Sequence, residues 1–180
     1  MYKRQNEFLN NKLKVGIAPF AKHVGKVYPL DLMQKIIAYL SQNNQVFLFG
    51  FGDELKILEK WESSYKNVEC PSSNINFSKE IQLISNLDLM ISMDSANGHI
   101  ASIYNVPVIT IWGLTHPYTG FSTFNSVEEN QFTVDRTKFP LIPSSIYGNK
   151  KINGYEESMR SIDLNGILYR ADKILNQTSS

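Results

Sequence analysis

The densest chemistry in the sequence is Asp94-Ser95-Ala96-Asn97-Gly98-His99. It follows the apolar run Leu87-Asp88-Leu89-Met90-Ile91-Ser92 and opens a helical stretch from about 95 to 104. A helix starting at that point presents unpaired amides and a partial positive charge, which suit a phosphate. Ser95, Ala96 and Gly98 are small enough for a ligand to approach the backbone. His99 lies one turn in, and helical side chains lean back toward the N-terminus, so its imidazole can reach the same anion. A plainer reading stands beside this one: Asp94 or Ser95 caps the helix and His99 packs against it.

Three other polar clusters stand where strands are expected to end: Lys22-His23-Val24-Gly25-Lys26, Gly50-Phe51-Gly52-Asp53-Glu54 and Gly113 to Pro117. Lys26 is either a solvated loop lysine or a cation held in a turn facing the helix at 95. Asp53 and Glu54 either start their own helix, where acids suit the dipole, or one of them accepts hydrogen bonds from a ribose diol. Gly50-Phe51-Gly52 is only part of a glycine fingerprint. The first strand is followed by Ala18-Pro19-Phe20 instead of G-x-G-x-x-G, which argues against an NAD-type domain. His23, His99 and His116 lack the spacing of a metal site.

The elements that must carry these clusters alternate. Strands are expected at Val15–Phe20, Gln45–Phe49, Val68–Cys70, Leu87–Ser92, Val106–Trp112 and about 131–134. Between them, Leu30, Met33, Ile36, Ile37 and Leu40 recur at helical spacing behind Pro29, as do Leu55, Leu58, Trp61 and Tyr65. Pro29 suits a first helical turn. Ser78 reads as an N-cap for a helix from Lys79 to Asn86. Leu164, Ile167, Leu168, Ala171, Ile174 and Leu175 form one apolar face of a final helix. Residues 135–160 show no period and read as a long loop. This order predicts an α/β fold, a Rossmann-like doubly wound parallel sheet with helices on both faces. In such sheets ligands bind outside the carboxyl ends of the strands, so all four clusters converge on one edge.

The bulk composition agrees with a single domain. The 180 residues carry 18 Lys plus Arg against 17 Asp plus Glu, a net charge of +1. That balance gives no footprint for nucleic acid. The single cysteine, Cys70, forms neither an internal disulfide nor a zinc cluster. No apolar run approaches a spanning helix, and the first residues lack the apolar core of a signal peptide, so a cytoplasmic protein is expected. The polar residues 1–13 read as a tail or linker, with one Rossmann-like domain over 14–180.

Taken in order, the motifs carry a resemblance. They are Pro19 with Lys26-x-Tyr28-Pro29, a strand into Gly-x-Gly-Asp-Glu, Asp94-Ser95-Ala96-Asn97-Gly98-His99, and Val106-Pro107-Val108 running to Gly113-Leu114-Thr115-His116-Pro117. From about Lys14 to Leu175 the chain resembles the C-terminal half of glycosyltransferase family 9, the heptosyltransferase-like enzymes of lipopolysaccharide core synthesis. The resemblance implies one half of a GT-B enzyme, in which two Rossmann-like domains flank a cleft and the C-terminal one binds a nucleotide diphosphate sugar such as an ADP-heptose. It implies no metal or other cofactor. By position, Lys26 looks like the lysine at the donor phosphate and Glu54 like the acid on the ribose. Phe77, just ahead of the expected helix, looks like the apolar residue beside the base. Asp94, Ser95, Ala96 and His99 match the motif at the diphosphate and sugar, with Ala96 standing where the family has glycine.

The resemblance further implies inverting transfer to a glycolipid acceptor, with Lys26 and His99 stabilising the leaving group. The acceptor site and general base belong to an N-terminal domain for which these 180 residues have no room, so the chain alone is expected to be inactive. A cytoplasmic setting, peripheral to the inner face of the inner membrane, goes with this. The rival reading is a non-catalytic nucleotide-binding module.

Overall fold

The computed structural model describes residues 12–178, so residues 1–11 of the expected tail lie outside the described residues. Six strands, β1 (Lys14–Ala18), β2 (Gln45–Leu48), β3 (Val68–Glu69), β4 (Leu89–Met93), β5 (Val108–Ile111) and β6 (Gln131–Phe132), form one sheet. Its order is β3-β2-β1-β4-β5-β6, and every pairing is parallel. Five α-helices accompany it: α1 (Leu30–Leu40), α2 (Leu55–Ser64), α3 (Phe77–Ile84), α4 (Ala96–Ile103) and α5 (Leu164–Thr178). This is the expected Rossmann-like doubly wound sheet. The chain reverses its direction of growth between β1 and β4, the position at which such sheets open a crevice.

Alternation along the strands builds two cores. Val15, Ile17, Val46, Leu48, Leu89, Ile91, Met93, Ile109 and Ile111 face one side with Met33, Ile36 and Ile37 of α1, Leu58 and Trp61 of α2, and Ile167 and Ala171 of α5. Ala18, Phe47, Met90 and Val108 face the other with Ile84 at the end of α3 and Ala101 of α4. Burial on both faces is why the strands read as near-continuous apolar runs. A Cβ on Gly98 would lie 3.1 Å from the Ser92 hydroxyl, so glycine lets α4 lie close on β4.

Several boundaries differ from the sequence reading. The first strand stops at Ala18, short of Phe20, and the β5 strand runs only Val108–Ile111. Pro29 sits at the N-cap of α1, one position before its first turn. The N-cap of α3 is Asn76 in place of Ser78: its side chain accepts from the Lys79 amide at 3.0 Å, so the helix starts two residues before Lys79, with Phe77 as its first residue. Asn and Ser are both good caps, and the sequence offers one on each side of Phe77. The strand expected over 131–134 is only Gln131–Phe132.

The segment 135–160 is irregular but packed. Ile142 is buried, and Phe139 meets Tyr155 edge to face. Arg160 clamps Asp31 of α1 through both guanidinium Nη atoms at 2.9 and 3.0 Å. Among the described residues no helix is long and apolar enough to cross a membrane.

Candidate functional site

The crevice is built first by the turn after β1. Residues 24–26 form a short helical turn, and Tyr28 just beyond it is fully buried, its hydroxyl donating toward the Ile162 carbonyl. Burial pushes the Tyr28 phenol up to about 12, so it stays a neutral anchor. The loop after β5 dovetails into this turn. The Leu114 amide donates to the Gly25 carbonyl at 2.9 Å, and a Cβ at Gly113 would stand 2.3 Å from that same oxygen. Gly113 is therefore required by close backbone approach. On the far side, the space a side chain at Gly148 would fill is taken by Thr115 and Lys26.

These contacts aim Lys26 across the switch point. Its Nζ reaches Asp94 Oδ2 at 2.5 Å, joining the turn after β1 to the end of β4. The two side chains are only 11% and 7% exposed. A pair so shielded from water holds a charged group in one place without help from a ligand. An ammonium has three donors, so Lys26 keeps two beyond the one given to Asp94.

Helix α4 starts beside this pair. Ser95 has the extended backbone of an N-cap, φ −150° and ψ 168°, yet no side chain caps the helix. Its hydroxyl lies 3.0 Å from that of Ser92, on the sheet side. Ala96 is exposed at the first helical position, and Asn97 follows it half-buried. His99 is half-buried, with no hydrogen-bond partner for its ring among the described residues. Lys26, Asp94 and the N-terminal end of α4 therefore form one corner.

The other expected residues lie along the edge from it. Glu54 accepts from the Phe51 amide at 3.0 Å, so it does help start its helix, as the plainer reading held. Asp53 is exposed and pairs with Lys56. Phe51 and Phe77 are 79% and 66% exposed, apolar rings in water beside the β2 end and at the start of α3.

The sequence sets His116 in the polar cluster after β5 and in the family motif, without the spacing of a metal site. His116 is buried, its Nδ1 accepting from the Tyr118 amide and its ring lying 4.1 Å from that of Tyr118. Burial, and then the charge of Arg136, lower its pKa below the ordinary histidine value. Thr115, a motif residue in the sequence, has a fully buried hydroxyl with no partner among the described residues. No cluster of three metal-ligating side chains occurs among the described residues. Two hollows of about 390 and 330 Å³ lie at the amino-terminal end of the sheet, beside Tyr39 and Asp172 and beside Asn105 and Thr123. Neither contains a residue of the corner.

No curated protein matches the chain in sequence. Among solved structures, ADP-heptose lps heptosyltransferase II of E. coli superposes with a TM-score of 0.68 at 16% identity, covering 97% of this chain and 50% of that one. A glycosyl transferase family 9 protein from Veillonella parvula gives 0.71 at 12% identity, over 93% of this chain and 47% of that one. E. coli heptosyltransferase WaaC with ADP gives 0.64 at 15% identity, over 91% and 44%. The chain thus spans about half the length of the structures it matches, and at these identities the likeness is one of fold. The model of glycosyltransferase family 9 (heptosyltransferase) matches residues 1–139, more than half of the chain, and on that match the chain belongs to glycosyltransferase family 9.

Proposed function

We propose that this chain is the donor-binding half of an inverting glycosyltransferase. The donor is a nucleoside diphosphate sugar of the ADP-heptose kind, and the acceptor is a glycolipid of the lipopolysaccharide type. The observation that carries the reading is the Lys26–Asp94 pair across the β1/β4 switch point, beside the uncapped start of α4. Family membership and a similar structure described with ADP support it.

In this reading the diphosphate lies against the free amides of α4, where Ser95 and Ala96 leave the backbone open. Lys26 gives its remaining donors to a phosphate oxygen. Asp94, already oriented by Lys26, accepts from a sugar hydroxyl. Glu54 is in reach of the ribose diol, and Phe77 offers a ring face to the base. The reaction is direct substitution. An acceptor hydroxyl oxygen bonds to the anomeric carbon, the bond from that carbon to the diphosphate oxygen breaks, and its electron pair leaves with the nucleoside diphosphate. The proton of the acceptor goes to a base on a second, acceptor-binding half. Lys26, His99 and the α4 amides lower the barrier by stabilising charge that grows on the leaving oxygen. Preorganised electrostatics of this kind is often the largest contribution to catalysis. The family setting for such an acceptor is the cytoplasmic face of the inner membrane.

Acceptor positioning supplies roughly 7–11 kcal/mol of effective-molarity advantage in well-aligned reactions. Without it the 180-residue chain binds donor and transfers no sugar. The test is calorimetric titration with ADP and ADP-heptose at low salt, followed by mass spectrometry of a mixture with donor and a core glycolipid. Binding without product is expected. No binding by the folded chain overturns the donor site. Turnover on the order of 1 per second overturns the division of labour between two halves.

A further inference from the structure

We infer that Ser92 is a positioning residue of the donor corner: it draws the Ser95 hydroxyl inward and so keeps the first amides of α4 free for an anion. The inference rests on the donor-site reading and adds to it a residue that touches no ligand.

Hydrogen counting fixes the arrangement. Ser92 is fully buried, and its hydroxyl donates to the Met93 carbonyl at 2.6 Å. A hydroxyl has one proton, so Ser92 Oγ has only lone pairs left to offer Ser95. In the 3.0 Å contact between the two, Ser95 is therefore the donor. Ser95 Oγ is thereby held at the sheet side, although its backbone is extended as at an N-cap. A serine at that position ordinarily accepts from the second or third amide of the helix. Here those are the amides of Asn97 and Gly98. Capping would occupy the donors that a phosphate needs, so a ligand would have to displace the cap first. Its apparent affinity would fall by the fraction of molecules left uncapped. Gly98 contributes by letting α4 sit low enough on β4 for the two hydroxyls to meet.

The test uses the whole chain with Ser92→Ala and the double variant Ser92→Ala/Ser95→Ala. The first readout needs no ligand: hydrogen exchange at the Asn97 and Gly98 amides. Ser92→Ala releases Ser95 to cap, and protection of one of these amides is expected to rise by about tenfold, a typical N-cap effect. The double variant returns it to the wild-type rate. The second readout is titration with ADP and with inorganic pyrophosphate. Ser92→Ala should weaken both by about tenfold, the same cap energy, and the double variant should bind both more tightly than Ser92→Ala. Unchanged exchange in Ser92→Ala, or a double variant that binds no better than the single one, overturns the inference. If the wild type binds neither probe, the donor-site reading fails, while the exchange experiment still decides what Ser92 does to Ser95.

Discussion

The corner at the β1/β4 switch and the edge beyond β2 are parts of one crevice built on opposite terms. At the corner, Lys26 and Asp94 are nearly buried and already paired, and the loops around them interlock through Gly25, Gly113 and Gly148. Along the edge, Phe51 and Phe77 stand in water, and Glu54 accepts from the Phe51 amide. The difference teaches which interactions belong to the fold and which await a ligand. Substitutions at the corner should cost stability and binding together, and those of the exposed rings along the edge should cost binding alone.

The largest expected effect breaks the corner. Lys26→Met leaves Asp94 buried without its counter-charge, and removing one partner of a buried pair costs about 3–5 kcal/mol. Urea denaturation should show that loss, and ADP titration should show no binding under conditions where the variant is folded. A variant as stable as the wild type would mean that the pair is hydrated and the corner is not preassembled.

Next comes Glu54→Ala. Loss of a charge-assisted contact to ribose should cost roughly 1.5–3 kcal/mol in ADP binding. Pyrophosphate, which has no ribose, should bind nearly as before. Equal weakening of both would show Glu54 acting only by holding the start of its helix.

Phe77→Ala should be smaller again. Aromatic contacts of this kind are worth about 0.5–1.5 kcal/mol, so ADP should weaken modestly. The midpoint of unfolding should not move, because the ring is 66% exposed. A marked drop in stability would place Phe77 with the packed corner instead of the open edge.

The smallest effect is a pH dependence next to the corner. The His116 pKa is lowered in the fold by burial and then by Arg136, so the unfolded chain binds its proton first. Stability from this group is present above about 6.5, the ordinary histidine value, and is lost as pH falls below it. Unfolding midpoints between pH 7 and pH 5 should fall more steeply for the wild type than for His116→Asn, which keeps an acceptor for the Tyr118 amide. Parallel profiles would show that His116 is solvated.

The same contrast explains what the sequence could and could not reveal. The apolar runs at 45–49 and 87–92 and the helical spacing of Leu30 to Leu40 were plain, because burial on both sheet faces imposes them. Lys26, Asp94 and His99 could be picked out because their residue types are unusual beside strand ends. What holds them was hidden. The segment 135–160 has no period, since it is irregular and held partly through backbone groups, such as the Ser144 amide donating to the Leu114 carbonyl at 2.9 Å. Gly148 had the look of a loop glycine, although its φ of 61° and its place against Lys26 make it part of the site. The cap of α3 was misplaced because Asn76 and Ser78 both qualify and only the backbone at 76 decides. The burial of His116 follows from the path of the loop after β5, which no local pattern specifies.

The sheet's two margins carry a consequence for handling and assembly. β3 and β6 are two residues each, joined to their neighbours through Val46↔Val68 and Phe47↔Glu69 on one side, and Thr110↔Gln131 and Ile111↔Phe132 on the other. A long bare margin invites a foreign strand to add to the sheet, and very short outer strands are one of the ways proteins blunt that hazard. A strand arriving at either margin would find a ladder too brief to hold it. Concentrated samples of this chain should therefore resist growth into cross-strand aggregates.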